Sequence, residues 1–151
     1  MSKVVPFLPL FDAAPPDEAT SPPAPPAGPP DAPARAEALD IRRSFIVDAP
    51  AGSGKTGLLI QRFLKLLTDE AVASPEQVLA ITFTLAATAE MRDRVLSHLE
   101  AASCEPASSI ASSFDLQTRE LALAVLERDR QLGWSLLNQP QRLNIRTIDS
   151  V

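Results

Sequence analysis

The sequence predicts an α/β fold, a parallel sheet with flanking helices and a glycine-containing loop between its first strand and the next helix. Three observations carry this expectation. The apolar run Ser44-Phe45-Ile46-Val47 leads into Ala49-Pro50-Ala51-Gly52-Ser53-Gly54-Lys55-Thr56, and the helical run Leu58-Leu59-Ile60-Gln61-Arg62-Phe63-Leu64 follows. A continuous apolar, β-prone run extends from Val78 to Phe83, as suits a strand covered on both faces of a parallel sheet. A further strand-like run fills 143–148, and helical patterns separate the runs. Strands alternating with helices point to parallel pairing.

Taken in order, residues 1–33 form a Pro/Ala-rich arm. Eleven of the fifteen prolines fall within residues 1–40, in runs such as Ser21-Pro22-Pro23-Ala24-Pro25-Pro26. Such a segment buries too little apolar surface to offset its ordering entropy, so a disordered or polyproline arm is expected. Residues 33–41 suit a short helix with Pro33 in its first turn. A strand over 44–48 precedes the loop. A helix over 55–68 places Leu59, Phe63, Leu66 and Leu67 on one stripe. A polar turn, 69–76, contains Pro75. Strand 78–83 is followed by a helix over 86–102, with Met91, Val95 and Leu99 four apart. A Ser/Ala-rich loop, 103–113, leads to an Ala/Leu-rich helix over 116–130. A short helical turn around 132–138 carries Trp134, Pro140 closes it, and the third strand follows. The chain stops at Val151, directly after that strand. Three strands make a thin, incomplete sheet, and the expectation is of a segment of a larger protein, 34–151 being its folded part.

The 151 residues carry a net charge of −5. Residues 1–40 hold two basic and six acidic groups, so the folded part is close to neutral. No basic block announces nucleic acid, although a local cluster would suffice. Cys104, the only cysteine, excludes a disulfide framework or a zinc site and fits a reducing cytoplasm. Val4 to Leu10 is apolar but short and broken by prolines, so neither a signal peptide nor a membrane span is expected.

The loop has a direct chemical reading. Small residues let backbone N–H groups curl round a phosphate, and a helix N-terminus adds partial positive charge. Ala49, Pro50, Ala51, Gly52, Ser53, Gly54, Lys55 and Thr56 are therefore the candidate nucleotide-binding set. Lys55 would reach the β/γ-phosphates as the catalytic cation, and the Thr56 hydroxyl would sit on Mg²⁺. Ala49 stands where the strict pattern has Gly, which is acceptable only at φ below zero. His98 is read as a packing or surface residue, Trp134 as an anchor rather than a base-stacking ring, and Arg42-Arg43 as a solvated lead-in.

A second constellation, Thr82-Phe83-Thr84 through Glu90-Met91-Arg92-Asp93-Arg94, lies at a strand-to-helix junction. Parallel sheets bind ligands at the carboxyl ends of their strands. Hydroxyls and helix N–H groups there can hold a nucleic-acid phosphate. The plainer reading makes the threonines helix caps and Glu90, Arg92 and Arg94 a solvated face.

Together these residues resemble the UvrD/Rep/RecB class of superfamily 1 DNA helicases. The Ala-initiated loop resembles that class's nucleotide loop, Thr82–Arg94 its next motif, and Arg146-Thr147-Ile148-Asp149-Ser150 a third. Asp149, with Gly133-Trp134 and Arg142-Leu143, looks closer to the RecB/AddA-like helicase–nuclease branch. The resemblance implies a RecA-like P-loop NTPase fold, ATP and Mg²⁺ as cofactors, and DNA with a single-stranded region as substrate. It also implies 3′–5′ movement and a possible partner nuclease or helicase subunit. Thr82, Thr84, Thr147 and Ser150 would lie on the DNA side. Leu85-Ala86 and Gly57 depart from the family's usual residues. The acidic water-activating motif, the arginine finger and the second motor domain would lie beyond Val151, so the chain alone is expected to bind nucleotide weakly and to be inactive. The rival readings are another P-loop phosphotransferase and a non-enzymatic nucleotide-binding remnant.

Overall fold

The computed structural model describes residues 31–52, 54–104, 106 and 112–151. The proline-rich arm up to residue 30, Ser53 and most of the 103–113 loop lie outside these described residues. Helix α1 spans Ala32–Ala38, α2 Lys55–Leu67, α3 Leu85–Cys104 and α4 Ser113–Leu132; strand β1 is Ala80–Thr82 and β2 Ile145–Thr147. The two strands pair in parallel, with Ala80 opposite Ile145, Ile81 opposite Arg146 and Thr82 opposite Thr147. Parallel neighbours need a long crossover, and α3 and α4 supply it.

Each helix end has a local cause. Thr84 Oγ1 accepts the Ala87 N–H at 3.0 Å and so opens α3. Ser112 Oγ accepts the Asp115 N–H at 3.0 Å and opens α4 three residues before the predicted start, the side-chain cap replacing an orphan helical bond. Gly133, at φ 67°, closes α4 in the left-handed region. The predicted helical turn over 132–138 is instead a non-helical turn, in which Asn138 and Gln139 N–H both donate to the Ser135 carbonyl. The left-handed stop at Gly133 redirects the chain before another helical turn can form.

The core is one cluster. Ile60, Phe63, Leu64 and Leu67 of α2 meet Met91, Val95 and Leu99 of α3 and Ala122 and Val125 of α4. Trp134, Leu136, Leu143 and Ile145 complete it. Gln61, buried in this apolar setting, is satisfied by Thr118 Oγ1 at 2.9 Å, which removes the cost of an unpaired amide. The sheet rests on the core through one face only. Ile145 and Thr147 are buried, whereas Ile81 and Arg146, paired beside each other, are exposed.

The strand predicted over 44–48 does not form. Among the described residues no backbone hydrogen bond pairs it with another segment. Phe45 instead packs against a small separate cluster of Ala38, Leu39 and Leu58, with the Arg43 and Arg62 guanidinium groups 5.1 and 5.3 Å from its ring centre. Ile46 is 99% exposed. Arg62 fixes this arrangement by donating to the carbonyls of Ala38, Asp40 and Arg43. An apolar run states what its side chains prefer to contact, but a strand exists only where a partner supplies its hydrogen bonds. The fold is thus mixed α/β with a two-stranded parallel sheet, not the three-stranded sheet expected.

The turn before β1 is held by a charged clamp. Pro75–Gln77 form a single 3₁₀ turn, and Gln77 and Ser74 cap each other reciprocally. Arg142 grips Glu76 with two contacts, 2.6 and 3.3 Å, and donates to the Trp134 carbonyl at 2.9 Å. The Arg142 guanidinium, with the Ser74 hydroxyl, holds the Glu76 carboxyl down from 4.5 to about 2. A depressed carboxylate stabilises the fold above its unfolded value and loses that contribution as pH falls through its folded one. The window is therefore 4.5 down to about 2. Glu76→Gln is expected to flatten the acid limb of stability across this window, modestly because the pair is half exposed. Urea midpoints at a series of pH values measure it; identical acid limbs for wild type and variant refute it.

Candidate functional site

The loop reaches α2 through two left-handed glycines, Gly52 at φ 80° and Gly54 at φ 83°. Both conformations are strained for any residue with a Cβ, which accounts for glycine at these two positions. Among described non-glycine residues only Ser135 has positive φ, so Ala49 meets the backbone condition set for it. The first intrahelical bond of α2 runs from the Leu58 N–H to the Gly54 carbonyl at 3.1 Å. The N–H groups of Lys55, Thr56 and Gly57 are thus left without helical acceptors. No acidic residue occupies this first turn, so nothing within it offsets the partial positive charge of the helix start.

Lys55 Nζ donates to the Ala49 carbonyl, closing the loop on itself. Thr56 is exposed beside it. Ser53, which belongs to the same loop set, lies outside the described residues. A cavity of about 300 Å³ opens on this loop, walled by α1, residues 45–49 and the start of α2. Its size is at the lower end of the range for small-molecule sites. None of the four threonine and serine residues assigned to DNA lines it.

Those four form a second group at the carboxyl ends of the strands. Thr82 and Thr147 are direct partners in the register. Thr82 Oγ1 lies 2.6 Å from Thr88 Oγ1 and 3.2 Å from the Thr84 carbonyl. Thr147 is buried, with its hydroxyl 3.0 Å from that of Ser150. Thr84 and Ser150 are exposed. Thr84 acts as a cap, as the plainer reading has it, and Thr82 and Thr147 spend their hydroxyls inside the fold. Of the helix face beyond, Glu90 and Arg94 form an exposed ion pair at 2.7 Å. Arg92 departs from the solvated expectation, donating to the Ile145 carbonyl at 3.0 Å and so tying α3 to β2.

Sequence reasoning does not single out Phe83. It is 86% exposed between the two threonines, and Leu85 and Ile148 are exposed as well. Its position within an apolar run suggests burial, whereas the structure places it past the end of β1 and exposed. Trp134 is 2% exposed and donates Nε1–H to the Ala73 carbonyl at 3.1 Å, the anchoring role expected of it. His98 on α3 has its pKa lowered, chiefly by burial. Cys104 is exposed. No group of three or more His, Cys, Asp or Glu side chains able to hold a metal occurs among the described residues. No helix among them is long and apolar enough to cross a membrane.

Two left-handed glycines opening a helix, together with a pair of parallel strands that end in threonines, define a mixed α/β domain. The chain belongs to the UvrD/REP helicase N-terminal domain family, which matches residues 32–151. It is similar to an AddA-type ATP-dependent helicase/nuclease subunit of Desulfitobacterium hafniense (strain Y51), 43% identical over 79 residues, 50% of this chain and 6% of that protein. It is also similar to the subunit of the same name from Moorella thermoacetica, 50% identical over 62 residues, 40% of this chain and 4% of that protein. For the Clostridium acetobutylicum subunit the identity is 44% over 61 residues, 39% of this chain and 5% of that protein. The matched stretches are thus a small fraction of these relatives' length. No solved structure matches the chain.

Proposed function

We propose that this chain is the ATP-binding segment of an ATP-dependent DNA helicase, of the helicase–nuclease kind, acting on DNA with a single-stranded region in the cytoplasm. The observation that carries the proposal is the Gly52–Gly54 turn delivering Lys55 and Thr56 to the start of α2 within a chain of the UvrD/REP family. Gly52 and Gly54 let the backbone approach a polyphosphate, and the N–H groups that open α2 face negative charge. Lys55 exchanges the Ala49 carbonyl for a phosphate oxygen, a gain because both partners are then charged. Thr56 would supply one oxygen to Mg²⁺, an ion that needs few protein ligands. The bound Mg²⁺–ATP supplies the transferable phosphoryl group. Orienting the attacking water and stabilising the developing charge need an acid and an arginine finger, roles to which the resemblance assigns no residue of this chain. The isolated chain is therefore proposed to bind nucleotide without hydrolysing it. Movement is proposed as 3′–5′, with a partner subunit, on the resemblance alone.

On the DNA side, Thr84 and the start of α3 offer donors to phosphates, and Ser150 joins them by turning its hydroxyl away from the Thr147 carbonyl to which it donates, with Thr82 and Thr147 paired in the strand register. Phe83 presents a bare ring face on which a base can stack, an interaction of about 1–3 kcal/mol per base. Fluorescence anisotropy with a labelled single-stranded oligonucleotide tests this side. Phe83→Ala is expected to weaken binding at least about fivefold, while Lys55→Ala leaves it unchanged. Equal binding by wild type and Phe83→Ala refutes the DNA face. DNA-stimulated ATPase by the purified chain, lost in Lys55→Ala, refutes its inactivity. A phosphotransferase would show neither oligonucleotide binding nor its loss.

A further inference from the structure

The Arg35 side chain of α1 reaches across to the phosphate loop. A Cβ placed on Gly54 would lie 3.2 and 3.3 Å from its two terminal nitrogens, so the guanidinium rests directly against the left-handed loop residue. Asp31 and Phe114 help to hold it there. Asp31 accepts from Arg35 Nε at 2.6 Å. The Phe114 ring of α4 has its centre 6.0 Å from the guanidinium carbon, within reach of a cation–π attraction. Phe114 in turn occupies the space over Gly57, where a Cβ would come within 2.8 Å of the ring. Glycine at 57 therefore gives Phe114 its seat, and Phe114 forms one side of the Arg35 site. This supplies a physical reason for a residue that stood out only as a departure from the resembled family.

Arg35 and Lys55 both line the cavity on the loop, and so does Asp31. A guanidinium offers five N–H donors in a fixed fork that matches phosphate oxygens. With Nε on Asp31, the terminal nitrogens are the part of the fork that faces Gly54.

We propose, on the nucleotide-binding reading above, that Arg35 is a second phosphate-binding cation of this loop and that Asp31 is the counter-ion that competes with the nucleotide for it. Phosphate arriving at Gly54 meets the guanidinium already in place, and the carboxylate of Asp31 opposes it by charge. The two residues thus have opposite effects on affinity. Arg35 acts on the phosphates and leaves the choice of base alone.

Isothermal titration of the 151-residue chain with Mg-ATP, Mg-GTP and inorganic tripolyphosphate tests this, with thermal unfolding as the check on folding. A charge-assisted hydrogen bond is worth enough that Arg35→Ala should weaken ATP and tripolyphosphate alike by about tenfold to a hundredfold. Arg35→Lys should keep part of the affinity, as a point charge without the fork. Asp31→Asn should tighten both ligands, a change that partial unfolding cannot produce. Tripolyphosphate affinity untouched by Arg35→Ala, while Lys55→Ala abolishes binding, overturns the proposal and leaves the nucleotide reading intact. An Arg35→Ala effect confined to the ATP/GTP ratio overturns it too, by assigning the residue to the base. Unchanged or weaker binding in Asp31→Asn removes the competing counter-ion. A wild-type chain that binds none of the three ligands overturns the nucleotide reading and this proposal together.

Discussion

Trp134→Ala is expected to destabilise the fold by about 3–5 kcal/mol, the range for removing a buried large aromatic side chain. That is a large part of the total stability of a small domain, so the variant should be largely unfolded near physiological temperature. The cost has three sources. Trp134 is 2% exposed and belongs to the cluster that joins α2, α3 and α4 to β2. Its Nε1–H satisfies the Ala73 carbonyl at 3.1 Å, ahead of the capped turn that leads into β1. Its ring also receives the Arg128 guanidinium at 5.7 Å, and that arginine donates to the Val72 carbonyl at 2.7 Å. Trp134→Phe retains most of the packing but loses the hydrogen bond to the exposed Ala73 carbonyl, at about 0.5–1.5 kcal/mol. Urea unfolding of the three proteins measures both values. A loss below about 1 kcal/mol for the alanine variant would show that the cluster closes without the ring. The phenylalanine variant should bind single-stranded oligonucleotide as the wild type does, because a ring this deeply buried offers no face to a base.

Lys55→Ala is expected to abolish stabilisation by Mg-ATP with little effect on the unliganded fold. Lys55 is exposed and its side chain bonds to the Ala49 carbonyl of its own loop. Exposed substitutions of this kind usually stay within about 0.5 kcal/mol. Binding is a different matter, since a ligand that binds only the native state at a hundredfold excess over Kd adds about 2.7 kcal/mol. The wild-type unfolding midpoint should rise with Mg-ATP and the variant's should not. A variant that keeps the wild-type rise would show that the nucleotide binds without the lysine, and the loop assignment would fall.

Much of the fold was legible because it depends on short-range rules. Helices α2, α3 and α4 lie where apolar spacing put them, and their starts and stops follow Thr84, Ser112 and Gly133. β1 and β2 lie inside the predicted runs but are three residues each, trimmed to the length over which the two can pair. Periodicity cannot report this, since it describes one segment at a time. The same limit explains 44–48. Its side chains are β-prone, yet Phe45 is drawn to the α1–α2 cluster and its backbone finds no strand. Phe83 fails in the opposite sense: apolar in sequence, it lies one residue past the end of β1 and is exposed.

By itself the sequence determined the residue pattern of the loop, the membership of the UvrD/REP helicase family and the order of the helices. Each of these rests on residue identity at fixed spacing, which the chain carries without folding. Only the tertiary structure decided that Thr82 and Thr147 stand side by side, that Arg92 serves β2, and that Arg35 and Phe114 gather at Gly54 and Gly57. Those contacts join residues far apart along the chain. They are set by which surfaces pack together, a property of the whole chain that no local pattern encodes.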